Sequence, residues 1–212
     1  MPTDSASTRD RLLRAACRLF AKKGFHEATV AEICEAADAN IASINYHFGD
    51  KEALYDEVWR HAFALAATAH PLDENQPPTD SLEEAIRRFA NALLHRIFSD
   101  EESGLFAELL YHEMANPTLA LDRIAREALL PQNEYLDRLL RVALGPDCDD
   151  ATLLRCKHSI IGQCAFYNFS RPLRERVIGK ASLTEDETGR LARHIARFSL
   201  GGLQAIKEPC PS

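Results

Sequence analysis

The sequence is poor in the features that mark several protein classes. It has nine glycines and ten prolines in 212 residues, too few for a fibrous or low-complexity chain. No run approaches the roughly 20 apolar residues that a spanning helix needs, so we expect no membrane segment. The first ten residues are polar and carry no apolar core, so we expect no secretory signal and a cytoplasmic protein. With 46% hydrophobic and 27% charged residues, the composition is that of a globular chain rather than a disordered one.

Signatures of metal, cofactor and catalytic sites are also missing. The six cysteines form no C-x-x-C pair, and no paired metal ligands, glycine-rich phosphate loop or Ser/His/Asp arrangement occurs. We therefore expect no metal, no cofactor and no enzymatic activity. The cysteines are expected to be reduced and packed as small apolar residues. Cys148, Cys156 and Cys164 recur every eight residues, which leaves redox sensing open as a less favoured alternative.

Positive charge is scarce and unevenly placed. The chain has 25 basic and 32 acidic residues, a formal net charge of −7. Residues 8–24 nevertheless hold six basic residues and one acidic residue. A small basic segment on an acidic body is suited to a protein that touches a polyanion at one end.

Strand signals are almost absent, whereas helical periodicity recurs along the chain, which predicts an all-α fold. Gly24 is placed to end the first helix, and Thr29 stands three residues before Glu32, the spacing of a capping box. Pro131 should break or kink its helix. We expect a linker over 70–81 and a loop over 171–182. The predicted helices are 8–23, 29–37, 41–48, 51–70, 81–98, 103–115, 118–144, 150–170 and 185–206.

The short helices of residues 10–48 carry the pattern of a DNA reader. Two short helices joined by a tight turn can place the second one in a major groove about 12 Å wide. In the helix ending at Phe48, Ile44 and Phe48 would pack inward, and polar side chains would face the bases. Thr29 and Lys51 would contact phosphates at helix starts, and an exposed Ile41 could touch a thymine methyl. The expected DNA-contacting residues are Thr29, Asn40, Ile41, Ser43, Asn45, Tyr46, His47 and Lys51. The residues alone also permit a plain three-helix bundle with a solvated face.

Three motifs stand out between Thr8 and about Ala64: Phe20…Gly24-Phe25, Thr29-Val30…Ile33 and Tyr46-His47-Phe48…Lys51-Glu52-Ala53-Leu54. With these motifs, the run resembles the DNA-binding domain of TetR-type (tetracycline-repressor-like) transcriptional regulators, with a helix-turn-helix over 29–48. Asp38 stands where the family usually has a turn glycine, and Asn40 stands where serine is common.

The resemblance implies two domains, a DNA-binding domain over 8–64 and a regulatory domain over 65–208 that binds a small effector and forms a homodimer. The stretch PTLALDRIAREALLPQ is similar to the regulatory half of CecR-like regulators. Large apolar and aromatic residues of the middle helices are candidates for the effector pocket, with two polar anchors among them. The candidates are Phe63, Phe89, Leu93, Phe106, Leu110, Tyr111, His112, Met114 and Phe166.

Two C-terminal helices are candidates for the dimer contact. Residues 150–170 are apolar almost all round, which predicts burial on every side, and residues 185–206 carry two stripes, one rich in small residues. A symmetric four-helix contact would bury both elements, although packing within a monomer is the alternative. The expected interface residues are Ile160, Ile161, Cys164, Ala192, Ala196, Ser199 and Leu203.

Together these patterns predict a ligand-responsive repressor whose partners are a double-stranded DNA operator, a small-molecule effector and a second copy of the chain. Two-fold pairing predicts a near-palindromic operator. No membrane partner is expected. A helical adaptor that binds only protein is the alternative, and it predicts no DNA binding at any salt concentration.

Overall fold

The fold is all-α, as predicted. The computed structural model describes residues 7–72, 81–99, 102–179 and 183–207, and within these ranges every regular element is helical. A 3₁₀ turn over Glu102–Gly104 precedes α6, and a π-helical turn over Ala125–Leu129 precedes α8. The helices are α1 (Thr8–Glu27), α2 (Val30–Ala36), α3 (Ala42–His47), α4 (Lys51–Ala69), α5 (Leu82–Phe98), α6 (Leu105–Ala115), α7 (Leu121–Ile124), α8 (Leu130–Leu144), α9 (Asp150–Phe169), α10 (Arg171–Ile178) and α11 (Glu185–Lys207).

The first compact unit contains residues up to Ala69 together with Ser99–Arg126. Its core is aromatic: the Tyr55 ring of α4 lies 4.9 Å from both Phe20 and Phe25, centroid to centroid. Trp59 extends this cluster to Phe106 of α6 at 5.5 Å. Fixing α1, α4 and α6 around shared rings gives the short helices α2 and α3 a rigid base to pack on.

Gly24 interrupts α1, in agreement with the predicted helix end. Its φ of 77° lies in the left-handed region, which glycine adopts without steric cost, and one helical turn follows to Glu27. The glycine is also required by close approach. A Cβ at this position would lie 3.0 Å from the His112 Nδ1 of α6.

The second compact unit contains His70–Phe98 and the chain from Glu127 onward. Helices α5, α8, α9 and α11 enclose an apolar core in which Ile86, Leu136, Leu140 and Ile160 are fully buried. The domain boundary expected at 64/65 stays a prediction, because packing units and functional domains need not coincide.

Three local expectations have different outcomes. The loop expected over 171–182 is wrong for Arg171–Ile178, which is helical, because Pro172 lies in the first turn, where its missing N–H costs nothing. Pro131 likewise lies in the first turn of α8, but it does not break the helix expected over 118–144, because the π-helical turn Ala125–Leu129 leads into α8 without a gap. Of the expected linker, 73–80 lies outside the described residues.

None of the described helices is long and apolar enough to cross a bilayer.

Burial of residues 150–170 on every side is also wrong. Helix α9 buries one face in the core of its unit but leaves Leu154, Phe166 and Phe169 exposed, Phe166 to 62%. The apolar residues of α9 therefore lie partly in the core and partly on an exposed surface.

Candidate nucleic-acid interface

Helix α2 begins with the capping box that the spacing of Thr29 and Glu32 predicts. The Glu32 amide donates to Thr29 Oγ1 at 3.2 Å, and the Thr29 amide donates to Glu32 Oε2 at 3.1 Å. Lys23 of α1 donates to the other Glu32 oxygen at 2.6 Å. These bonds, the Lys23 bond first, lower the pKa of Glu32 to about 2. Thr29 is exposed at the helix start, where we expect a phosphate contact.

The turn between α2 and α3 is built from Asp38, Ala39 and Asn40. Asp38 has a φ of 48°, a left-handed conformation at the position where TetR-type sequences usually have glycine. Asn40 is exposed, and its Oδ1 accepts from the Ala42 amide at 3.0 Å. This Asx turn pairs the first amide of α3 with the Asn40 side chain.

Helix α3 presents the polar surface expected of a reader helix. Ile44 is only 1% exposed and anchors the helix, whereas Tyr46 is 85% exposed and Asn45 is exposed beside it. Ile41 is 55% exposed, which agrees with the prediction that Ile41 is exposed if Ile44 is buried. Ser43, His47 and Phe48 are half-buried. The outward side of α3 therefore offers hydroxyl, amide, phenol and aliphatic groups for base edges.

Lys51 begins α4 and is half-buried. Its ammonium lies 4.4 Å from the Phe25 ring centroid, a cation–π contact, and partial burial lowers its pKa. The Arg9 guanidinium lies 5.1 Å from the Phe48 ring in a similar contact. These two contacts tie the C-terminal end of the helix-turn-helix and the start of α4 to α1.

Much of the basic charge in residues 8–24 is engaged within the chain. Arg9 pairs with Glu57 at 3.0 Å, Arg18 with Glu102 at 2.7 Å and Lys23 with Glu32 at 2.6 Å. These three pairs reduce the positive field that composition alone suggests for this segment.

The effector candidates fall into both units. Phe106 and Phe63 are in contact at 5.4 Å in the first unit, and Phe89 stacks on Tyr135 at 6.2 Å in the second. Leu93 and Leu110 are half-buried. For these apolar residues, an effector contact remains a prediction.

Four other effector candidates lie outside the buried core. Tyr111, Met114 and Phe166 are at least half exposed in the single chain. The His112 imidazole packs against Gly24. For these four residues too, an effector contact stays a prediction.

The expected dimer residues are mostly covered in the single chain. Ile160, Cys164, Ala192, Ala196 and Leu203 are buried in the core of their own unit. Ile160 and Leu203 also line a groove beside the exposed Phe198, and a contact of these five residues with a second chain stays a prediction. Ser199 and Ile161 lie at the margin: Ser199 accepts from Gln163 at 3.2 Å and lines a groove between α9 and α11, and Ile161 is half-buried.

The cysteines behave as small apolar residues in the described part of the chain. Cys17 and Cys164 are buried, and burial raises the pKa of each thiol to about 12. No group of three or more metal-ligating side chains comes together among the described residues. Cys210 lies outside them.

Two contact residues were not found from the sequence. Arg11 binds backbone carbonyls of the turn at Asp38, and Glu113 is a buried carboxylate in α6. Arg11 binds Ala37, 26 positions away, and Glu113 binds Tyr55, 58 positions away. Neither helical periodicity nor local spacing can indicate contacts over such distances in the sequence.

Comparison with known proteins agrees with this geometry. The model of the bacterial regulatory proteins of the tetR family matches residues 12–58, and the model of the C-terminal domain of the transcriptional dual regulator CecR matches residues 82–203. CecR of Shigella flexneri is 25% identical over 197 residues, which cover 89% of this chain and 87% of that protein.

Solved structures share the fold. The fatty acid degradation regulator FadR of Bacillus halodurans gives a TM-score of 0.65 at 18% identity, covering 91% of this chain and 98% of that one. FadR of Bacillus subtilis, solved with stearoyl-CoA, gives 0.67 at 15% identity, covering 91% of this chain and 97% of that one. The matching sequence families are transcriptional regulators and not enzymes. This chain belongs to the TetR family of DNA-binding transcriptional regulators, in its CecR-like subgroup.

Proposed function

We propose that this protein is a cytoplasmic, ligand-responsive repressor that binds a near-palindromic operator as a homodimer and is released by a small effector. The observation that carries the proposal is the open polar side of α3, where Tyr46 and Asn45 are exposed above a buried Ile44. Direct readout needs this combination of an anchored helix and outward donors and acceptors.

Within this proposal, each DNA candidate has a role. Ser43, Asn45 and Ile41 face base edges, with Asn45 suited to a bidentate contact with adenine. Thr29, Asn40, His47 and Lys51 lie at helix ends, where they contact phosphates and fix the register. Tyr46 is 85% exposed and can contact either base edges or phosphates.

The homodimer is proposed to form through the exposed sides of α9 and α11. Phe198 is 67% exposed, and Gly202 and Ile206 follow it at helical spacing on the same side of α11. The groove beside them has a volume of about 150 Å³, below the roughly 300 Å³ of ordinary ligand pockets. A groove of this size favours a side chain from a second copy of the chain over a small effector. Two-fold pairing of the chains also doubles the length of DNA that is read.

DNA reading is tested with a duplex that the wild-type protein selects from a random pool. Changing Asn45 and Tyr46 together to alanine is expected to weaken binding to that duplex at least about tenfold, because two base-facing side chains are lost. Thr68→Ala is the control, since this exposed residue lies at the opposite end of α4 from Lys51. The assignment of α3 as reader is wrong if the double variant retains the affinity and sequence preference of wild type.

Effector release is tested with a probe taken from the structural relative. Stearoyl-CoA is present in the Bacillus subtilis FadR structure, so it is the first compound to titrate against the protein–DNA complex. We expect dissociation of the duplex, since an effector acts by binding the DNA-free form more tightly. If stearoyl-CoA binds neither form, this effector class is excluded while the DNA-binding result stands.

A further inference from the structure

We propose that Arg11 is a positioning residue for the reader helix, which it holds by clamping the backbone of the turn before α3. The inference rests on the proposed role of α3 in reading DNA. It explains how this chain keeps a functional turn with aspartate at position 38 in place of the usual glycine.

The turn at Asp38 has the hydrogen bonds of a Schellman motif. The Ala39 amide donates to the Cys34 carbonyl at 2.9 Å, and the Asp38 amide donates to the Glu35 carbonyl at 3.2 Å. This motif places one residue in the left-handed conformation, which Asp38 adopts with a φ of 48°. An L-residue with a Cβ is disfavoured there relative to glycine, so the turn needs stabilisation from outside.

Arg11 supplies contacts at this point from α1. Its Nε donates to the Ala37 carbonyl at 3.0 Å, and its Nη2 donates to the Asp38 carbonyl at 3.3 Å. Carbonyls at the end of a helix have no partners within the helix and carry partial negative charge, so a guanidinium is a favourable cap. Both bonds hold backbone atoms on either side of the left-handed residue, so they favour its conformation directly.

The clamped turn leads straight into the reader. Cys34 Sγ contacts the Asn40 carbonyl at 3.6 Å, and the Asn40 side chain caps the Ala42 amide that begins α3. Only three residues, 39–41, separate Asp38 from α3, and a change in the backbone at Asp38 therefore redirects the helix.

A double-mutant cycle tests this clamp. Arg11→Gln is expected to speed hydrogen exchange of the Ala39 amide, and to weaken binding to the selected duplex, by about three- to tenfold. In the Asp38→Gly background the same substitution is expected to change either quantity less than about twofold, since glycine holds the turn without help. Arg14→Gln is the matched control, because this exposed arginine of α1 carries the same charge.

Each outcome decides the proposal. Unchanged exchange at Ala39, or changed exchange with unchanged DNA affinity, overturns it. If Arg11→Gln weakens DNA binding equally in the wild-type and Asp38→Gly backgrounds, the proposal is also overturned. Arg11 would then contact a phosphate directly, and its loss would lower the salt dependence of binding. Arg11→Lys keeps one donor and should fall between wild type and Arg11→Gln. If wild type selects no duplex, the proposed function fails while the exchange measurements still report on the clamp.

Discussion

The Tyr55 hydroxyl of α4 donates a 2.8 Å hydrogen bond to the carboxylate of Glu113 in α6, although Glu113 is almost wholly buried. Thr118 donates two more bonds to the other carboxylate oxygen, from its amide at 2.6 Å and its hydroxyl at 2.8 Å. Burial is the main reason that the pKa of Tyr55 is raised. A buried carboxylate is tolerated only when donors surround it, so this cluster ties α4 to the turn after α6.

Removing the Tyr55 hydroxyl should destabilise the first unit. Tyr55→Phe keeps the ring in the aromatic core but leaves one oxygen of a buried carboxylate short of a donor. We expect a loss of about 1–3 kcal/mol in the free energy of unfolding, measured by urea denaturation. Tyr46→Phe makes the same chemical change at an exposed site and should stay within about 0.5 kcal/mol of wild type. Equal stabilities for the two variants would contradict this account.

The Glu32 carboxylate should give the start of α2 a stability that depends on pH. Its pKa is about 2 in the folded protein against an ordinary value of 4.5. The ionised form is favoured by folding, so its contribution is present above about pH 4.5 and is lost as the pH falls toward 2. Wild type should melt at a higher temperature than Glu32→Gln near neutral pH, and the difference in Tm should vanish near pH 2.

Lys23→Gln provides the control for that experiment, because the Lys23 bond is the largest cause of the lowered Glu32 pKa. In this background, the pH-dependent part of the difference should shrink. A difference in Tm that stays constant down to pH 2 would show that the charge of Glu32 does not stabilise the fold.

A charge on the exposed side of α11 should prevent dimer formation. Phe198→Glu places a carboxylate on the surface that we propose is buried between two chains, where an unpaired charge is strongly unfavourable. Sedimentation equilibrium of wild type at micromolar concentration should give twice 23.7 kDa, and the variant should give the monomer mass. Val142→Glu, at an exposed site of α8, should leave the dimer intact. A wild-type monomer would remove the proposed interface.

Local signals in the sequence were sufficient for much of the fold. The Thr29–Glu32 spacing predicts a capping box that the structure contains, and Gly24 interrupts its helix as predicted. These features depend on contacts within one or two turns, which periodicity and residue type report directly.

Features that depend on distant contacts were predicted less well. Cys164 and Ala196 are predicted at a partner surface and lie in the core of their own unit, because apolarity does not distinguish a core from an interface. Phe166 is predicted in a pocket and is 62% exposed, because apolarity does not show whether a large side chain is covered. Arg11 was read as part of a basic segment, whereas its contacts with the turn require knowledge of how α1 and α2 pack.

The ion pairs of Arg9, Arg18 and Lys23 have a consequence for how the protein searches a genome. Cations already neutralised by Glu57, Glu102 and Glu32 displace few counterions from an arbitrary duplex, so affinity for random sequence should be modest. Residence on unrelated DNA would then be brief. Discrimination would come to depend on a few uncharged groups, and a low copy number of the regulator could suffice to occupy its true target.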